Sequence, residues 1–123
     1  MAQCLHGALG WNLTPENLAV TAGGQTAFFY LFNLLAGEMP GGRRRKILLP
    51  LVPEYIGYAN QGLGPDFFAG CPAMIENLGN HEFKYRVDFS AVENALEEEA
   101  IGAICVSRPT NPTGNVLTDE EIA

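Results

Sequence analysis

Lysine is nearly missing from this sequence: only Lys46 and Lys84 occur in 123 residues. Lysine and arginine together number 7 against 14 carboxylates, a net charge of −7, and the one basic cluster is RRRK at 43–46. Such a field repels nucleic acid and anionic membranes and favours a small ligand as partner. RRRK itself reads as a solvated loop ahead of a strand. Cysteine is also sparse. Cys4, Cys71 and Cys105 are odd in number and widely spaced, with no CxxC and no nearby histidine pair, which excludes the usual zinc arrangements and predicts reduced thiols in a cytoplasmic protein. Cys105, inside a strand pattern, reads as a small core residue. No apolar run approaches the roughly 20 residues needed to span a bilayer. The opening MAQCLHGALGW lacks a signal peptide's basic flank, apolar centre and cleavage site, and resembles the last turns of an amphipathic helix.

What is present describes a globular α/β chain. Hydrophobic residues make up 47% and charged residues 17%, with no repeat, linker or low-complexity tract. Short β-like runs alternate with longer helical ones. Strands are expected at 18–21, 46–50, 66–70 and 101–107, and helices at 25–36, about 55–61 and 89–99. The expectation is a mostly parallel sheet with crossover helices. The 25–36 helix carries Phe28, Phe29, Tyr30, Leu31, Phe32, Leu34 and Leu35, apolar on nearly every side, so it needs more cover than a chain this short supplies. In VLTDEEIA, Thr118 is the expected N-cap of a further helix and Glu121 its capping-box partner. Both ends of the sequence read as cut through structure.

Three stretches carry chemistry. TAGGQTAFF sets a strand, the diglycine Gly23-Gly24 and a helix starting near Gln25 in succession. Free amides at such a helix start, closely approachable because glycine has no side chain, suit a phosphate, although a plain tight turn gives the same pattern. The stretch is neither GxGxxG nor a loop ending in GK[ST], which disfavours dinucleotides and Mg-ATP. PEYIGY, at 53–58, follows the 46–50 strand, where parallel sheets place ligand-binding loops. Tyr55 can offer its ring to a flat ligand or pack on the core, and Tyr58 has a hydroxyl to donate. SRPTNPTGN, at 107–115, fixes Asn111 between Pro109 and Pro112 with Gly114 at the exit. It forms either an ordinary constrained turn or a rigid neutral donor at a strand end.

Together, NPTG at 111–114, TAGGQTA and PEYIGY resemble fold-type I aminotransferases in order and spacing. AFFYLFNLLAG, PLVPEYIGYANQGL and VSRPTNPTGNVLTDEE are similar to the valine-pyruvate branch of that family, and the likeness covers nearly the whole chain. The resemblance implies that 1–123 is part of the large, pyridoxal 5'-phosphate-binding domain of a longer enzyme, truncated at both ends. It implies a cytoplasmic homodimer that moves an amino group between a valine- or alanine-type amino acid and a 2-oxo acid such as pyruvate. By the same resemblance Gly23, Gly24 and Gln25 bind the phosphate, Tyr55 stacks on the pyridine ring, and Asn111 hydrogen-bonds the 3'-oxygen. It implies a cis Asn111–Pro112 bond, and a weaker case for Val52–Pro53. Arg108 departs from the asparagine of the wider family's NPxNPTG. The family's imine-forming lysine follows NPTG by several dozen residues, whereas Lys46 and Lys84 precede it, so no catalytic residue is expected in this chain. A carbon-sulfur lyase on the same scaffold and a non-catalytic ligand-sensing domain are the alternatives.

Overall fold

The computed structural model describes residues 10–122 together with Leu5 and Gly7; Cys4 and most of the expected opening helix lie outside the described residues. Strand β2 (Arg43–Val52) organises the rest. Its sequence turns from RRRK to ILLPLV, and burial follows: Ile47 and Leu48 are fully buried and Leu51 nearly so. Near-continuous apolar character of this kind belongs to a strand covered on both faces.

On one side of β2 runs β3 (Phe68–Pro72), parallel, pairing Ile47 with Phe68 and Leu49 with Gly70. On the other runs β6 (Ile101–Ile104), also parallel, pairing Lys46 with Ile101 and Leu48 with Ile104. Beyond this ladder the parallel character stops. Strand β1 (Gly37–Met39) pairs antiparallel with Arg43–Arg45, and β4 (Met74–Gly79) with β5 (Glu82–Arg86) forms a separate antiparallel hairpin. The sheet is therefore only partly parallel, and RRRK opens a strand instead of lying in a loop. The Pro40-Gly41-Gly42 reversal, with both glycines at positive φ, returns the chain so that its arginines form an exposed ladder. Apolar patterning cannot register a strand whose side chains are charged.

Strand 18–21 is not formed. It has no ladder partner among the described residues, and Val20 is 82% exposed; β-character in a sequence makes a strand only beside a hydrogen-bonded neighbour. The β4–β5 hairpin went unread, although its two-residue turn, Asn80-His81, has positive φ at both positions. That conformation suits asparagine in hairpin turns.

Helix α1 (Gly24–Leu35) and helix α2 (Phe89–Glu98) fall where expected, α2 capped by the Asp88 carboxylate accepting from the Ala91 amide at 3.1 Å. Between β2 and β3 the expected 55–61 helix is a 3-10 turn, Ile56–Asn60, so α2 is the crossover helix of the β3-to-β6 connection alone. The reciprocal Thr118–Glu121 capping box starts α3 (Asp119–Ile122). Phe32 of α1 and Ala36 at its C-cap pack with Ile47, Tyr58 and Phe67 in the main core, while Tyr30, Leu31 and Leu34 on the other face of the helix are 62%, 50% and 72% exposed. Asn33 fastens α1 to the loop after the 3-10 turn, donating to the Gln61 carbonyl at 2.6 Å and accepting from the Leu63 amide at 3.0 Å. At β6, a Cβ on Gly102 would overlap the Leu35 carbonyl, so glycine permits the close approach of helix and strand. No helix among the described residues is long and apolar enough to cross a membrane.

Lys46 sits where β2, β6 and the approach to β3 meet, its ammonium 2.8 Å from Glu99 and 3.0 Å from Asp66. Hydrogen bonds to Glu99 and then Asp66 raise its pKa above the ordinary lysine value despite opposing desolvation. A raised folded-state pKa stabilises fully below the unfolded lysine's titration and is lost as pH climbs through the folded one. Lys46→Ala is expected to lower unfolding free energy by about 1 kcal/mol at neutral pH. In urea titrations, its deficit against the parent protein should shrink above about pH 10.4.

Candidate functional site

The loops leaving the C-terminal ends of β2 and β6 and the N-terminus of α1 are tied by specific hydrogen bonds. Gly23, the N-cap of α1, has φ 91° and ψ 167°, a conformation essentially reserved to glycine. The preceding turn closes on itself: the Gly23 amide donates to the Thr21 carbonyl and the Thr21 hydroxyl to the Gly23 carbonyl, each at 2.9 Å. The first helical bond runs from the Ala27 amide to the Gly23 carbonyl at 3.3 Å. The amides of Gly24, Gln25 and Thr26 therefore have no acceptor among the described residues. No side chain caps them and no acidic residue stands in the first turn, so an anion meets only donors and the positive end of the helix dipole.

Gln25 reaches across to the second segment, its Nε2 3.2 Å from the Tyr55 hydroxyl. Tyr55 is half-buried, with its ring against Gly57, where a Cβ would run into it, and edge-on to Tyr58 at 5.3 Å and 88°. Tyr58 does not offer its hydroxyl to a ligand, as the sequence had suggested. It is buried among Phe28, Phe32 and Tyr55, and its hydroxyl lies 3.2 Å from Ser107 Oγ. Burial pushes its pKa up.

The third segment is organised around Thr110, 2% exposed. Its hydroxyl donates to the Ser107 carbonyl at 3.0 Å, its amide donates to the Asn115 carbonyl at 2.8 Å, and its own carbonyl accepts from the Gly114 amide at 2.7 Å. The peptide bonds Val52–Pro53, Arg108–Pro109 and Asn111–Pro112 are all cis, the second of them unanticipated. Asn111, beside Thr110, is exposed, and its side chain has no protein partner among the described residues. Arg108 pairs with Asp119 at 2.8 Å on the surface, joining this loop to the start of α3. Glu54 links the second and third segments: its Oε1 accepts from the Tyr55 amide and its Oε2 from the Ser107 amide, both at 2.8 Å.

Gln25 and Tyr55 thus meet directly, and the Asn111 loop is joined to the Tyr55 segment through Ser107. The cleft of about 210 Å³ whose lining includes Leu49, Val52, Glu54, Tyr55, Tyr58 and Phe68 contains neither Gly24, Gln25 nor Asn111. Sequence reasoning missed Glu54, Ser107 and Thr110, although a glutamate just before Tyr55 and a threonine between two prolines were visible. Lys46 is held as an ammonium between two carboxylates, and Lys84 Nζ donates to the Val116 carbonyl at 2.6 Å. Burial raises the Cys71 and Cys105 thiol pKa values, as fits core residues.

Over 122 residues, 99% of its length, the chain is 55% identical to valine-pyruvate aminotransferase of Escherichia coli (strain K12), of which it spans 28%. The crystal structure of valine-pyruvate aminotransferase from Salmonella typhimurium LT2 matches 98% of the chain at 52% identity with a TM-score of 0.81. The chain has the fold of a fold-type I aminotransferase segment. A Psychrobacter arcticum 273-4 protein provisionally assigned to the amino-acid aminotransferases matches 98% of it at 53% identity and a TM-score of 0.89. The chain covers 28% of the Salmonella structure and 30% of the Psychrobacter one, so it spans little more than a quarter of the length of these aminotransferases. A C-S lyase from Staphylococcus hominis, 20% identical over 98% of the chain and 28% of that structure, shares the fold at a TM-score of 0.68. No family model matches the chain.

The two glycines at the start of this aminotransferase-like segment differ in backbone while both face open space. Gly23→Ala is expected to cost about 1–3 kcal/mol because its φ lies where a side chain is strained. Gly24→Ala, at a helical position, is expected to be neutral or stabilising by up to about 1 kcal/mol. Chemical unfolding of the two variants measures the contrast.

Proposed function

We propose that the chain forms the phosphate-, ring- and 3'-oxygen-binding part of a pyridoxal-phosphate-dependent aminotransferase. The observation that carries this reading is the hydrogen-bonded gathering of the α1 N-terminus, the Tyr55 segment and the Asn111 loop, in a chain 55% identical to a valine-pyruvate aminotransferase. The residues present fit the group. The Gly24, Gln25 and Thr26 amides, without an acceptor among the described residues, suit a phosphate, with Gly23 supplying the turn before them. Tyr55 has a ring for the pyridine to rest on, and its hydroxyl is steadied by Gln25. Asn111 adds a neutral donor for the 3'-oxygen from a loop fixed at Thr110.

The cofactor, when bound, supplies an electron sink for the α-carbon of an amino acid. This chain's share of the work is binding and orientation. The helix start would hold the anionic end, Tyr55 would offer its ring as a stacking surface, and the Asn111 side chain would donate to the ring oxygen. The covalent and proton-transfer groups are expected from a lysine beyond this segment, in keeping with the ion-paired Lys46 and the carbonyl-bound Lys84. We assign the amino donor to the valine or alanine class and the acceptor to 2-oxo acids such as pyruvate. The working protein is proposed to be a cytoplasmic homodimer; the open apolar face of α1 at Tyr30, Leu31 and Leu34 supports further burial against protein.

Incubation of the purified full-length protein with pyridoxal phosphate, valine and pyruvate should yield alanine, while the 123-residue chain alone should not exceed free cofactor. Turnover by the isolated chain, or none by the full-length protein, would refute the assignment. In the full-length protein Asn111→Ala should raise the pH midpoint of the bound cofactor's visible titration by about one to two units, because a charge-assisted bond to the ring oxygen favours the deprotonated form. An unchanged midpoint removes Asn111 from this role.

A further inference from the structure

We infer that Glu54 is a positioning residue whose two carboxylate oxygens hold the Tyr55 segment and the Asn111 loop in fixed relation. The geometry is specific. Oε1 accepts from the Tyr55 amide and Oε2 from the Ser107 amide, each at 2.8 Å, so one half-buried side chain spans segments 53 residues apart. Tyr58 also links the two segments, its amide donating to the Tyr55 carbonyl at 3.1 Å and its hydroxyl lying 3.2 Å from Ser107 Oγ, but its ring belongs to the core and neither bond engages the Tyr55 or Ser107 amide that Glu54 holds. From Ser107 the connection continues inward: the Ser107 carbonyl accepts from the hydroxyl of buried Thr110, whose neighbour is Asn111. A displacement of Glu54 is thereby passed to Asn111 through one peptide carbonyl and one side chain.

The chemistry of the residue matters as much as its place. Both groups facing it are N–H donors, and only a carboxylate presents two acceptor oxygens on a short fork. Glutamine keeps the shape but turns a donor toward one of the amides, leaving that amide without its partner. Charge-assisted bonds to backbone amides are stronger than neutral ones, which suits a side chain holding a loop end with no continuing ladder. Glu54 does not itself need to touch a ligand.

The consequence for the cofactor rests on the aminotransferase reading, while the brace does not, and the two can be tested separately. In hydrogen exchange on the full-length protein, Glu54→Gln should leave the core of β2 protected but speed exchange at the Ser107 or Tyr55 amide by at least about tenfold, the loss of roughly one hydrogen bond. In the same variant the cofactor dissociation constant should rise about 5- to 20-fold, as expected for a comparable loss of preorganisation. The upward shift of the bound cofactor's visible titration should be present in Glu54→Gln and nearly absent when the change is made in an Asn111→Ala background, because a residue acting through Asn111 has nothing left to position.

Unchanged amide exchange would overturn the brace, whether or not cofactor binds. Faster exchange with unaltered cofactor affinity and titration would overturn the positioning role. Equal shifts with and without Asn111 would do the same. Failure of Glu54→Gln to fold would mark Glu54 as a general stability residue and also overturn the proposal. An unmodified protein that binds no cofactor would instead refute the aminotransferase reading, with the positioning role falling alongside it and the brace still decided by exchange.

Discussion

The burial of β2 between two parallel neighbours is the constraint on which the rest depends. Ile47 and Leu48 have no exposed surface, and their backbone is hydrogen-bonded toward both β3 and β6. Each fully buried aliphatic side chain of this kind contributes roughly 1.5–3 kcal/mol relative to exposure. Because all three strands run the same way, the segments leaving β2 and β6 emerge at one end. Nothing in their own sequences requires the Tyr55 segment and the Asn111 loop to be neighbours; the shared direction of their strands does.

At that end the character of the contacts changes. Below it, α1 is seated by aromatic packing, with Phe32 5.5 Å from Tyr58 and 5.6 Å from Phe68 between ring centroids. Above it the ties are polar and few: Gln25 to Tyr55, Glu54 to Tyr55 and Ser107, and Tyr58 to Ser107. Apolar packing is non-directional and tolerates small shifts, whereas hydrogen bonds lose strength quickly with misalignment. A fold that seats α1 by the first and trims its loops by the second combines a robust frame with defined positions for donors.

Polar pairing also separates the charged groups that maintain the frame from neutral donors left open. Lys46 lies between Glu99 and Asp66, Arg86 between Glu76 and Glu121, and Arg108 against Asp119. By contrast, the α1 amides and the Asn111 side chain remain unpartnered among the described residues. The chain spans a little over a quarter of the length of the aminotransferases it resembles. The exposed face of α1 and the exposed Met74, Ile75, Leu78 and Phe83 of the hairpin show how much apolar surface the chain leaves open.

The local signals in the sequence determined a good deal. The diglycine announced a helix start, the ILL run a buried strand, Thr118 and Glu121 a capping box, and the spacing of TAGGQTA, PEYIGY and NPTG the family whose fold the segment shares; each depends on residues close together in the chain or on a recognisable motif. The strand expected at 18–21 failed, and the arginine-led start of β2 was missed, because a ladder needs a partner and a charged edge carries no apolar period. The roles of Glu54, Ser107 and Thr110 likewise escaped, since a glutamate in a turn and a serine at a strand end are ordinary until the parallel sheet brings them within 2.8 Å. Tyr55 and Tyr58, nearly equivalent on paper, were separated only by packing: one hydroxyl meets Gln25 at the helix start, while the other is enclosed beside Ser107. Sequence specified the chemical groups and their local conformations; the tertiary structure decided which groups meet, because hydrogen bonds between distant segments exist only after the sheet has set their separation and direction.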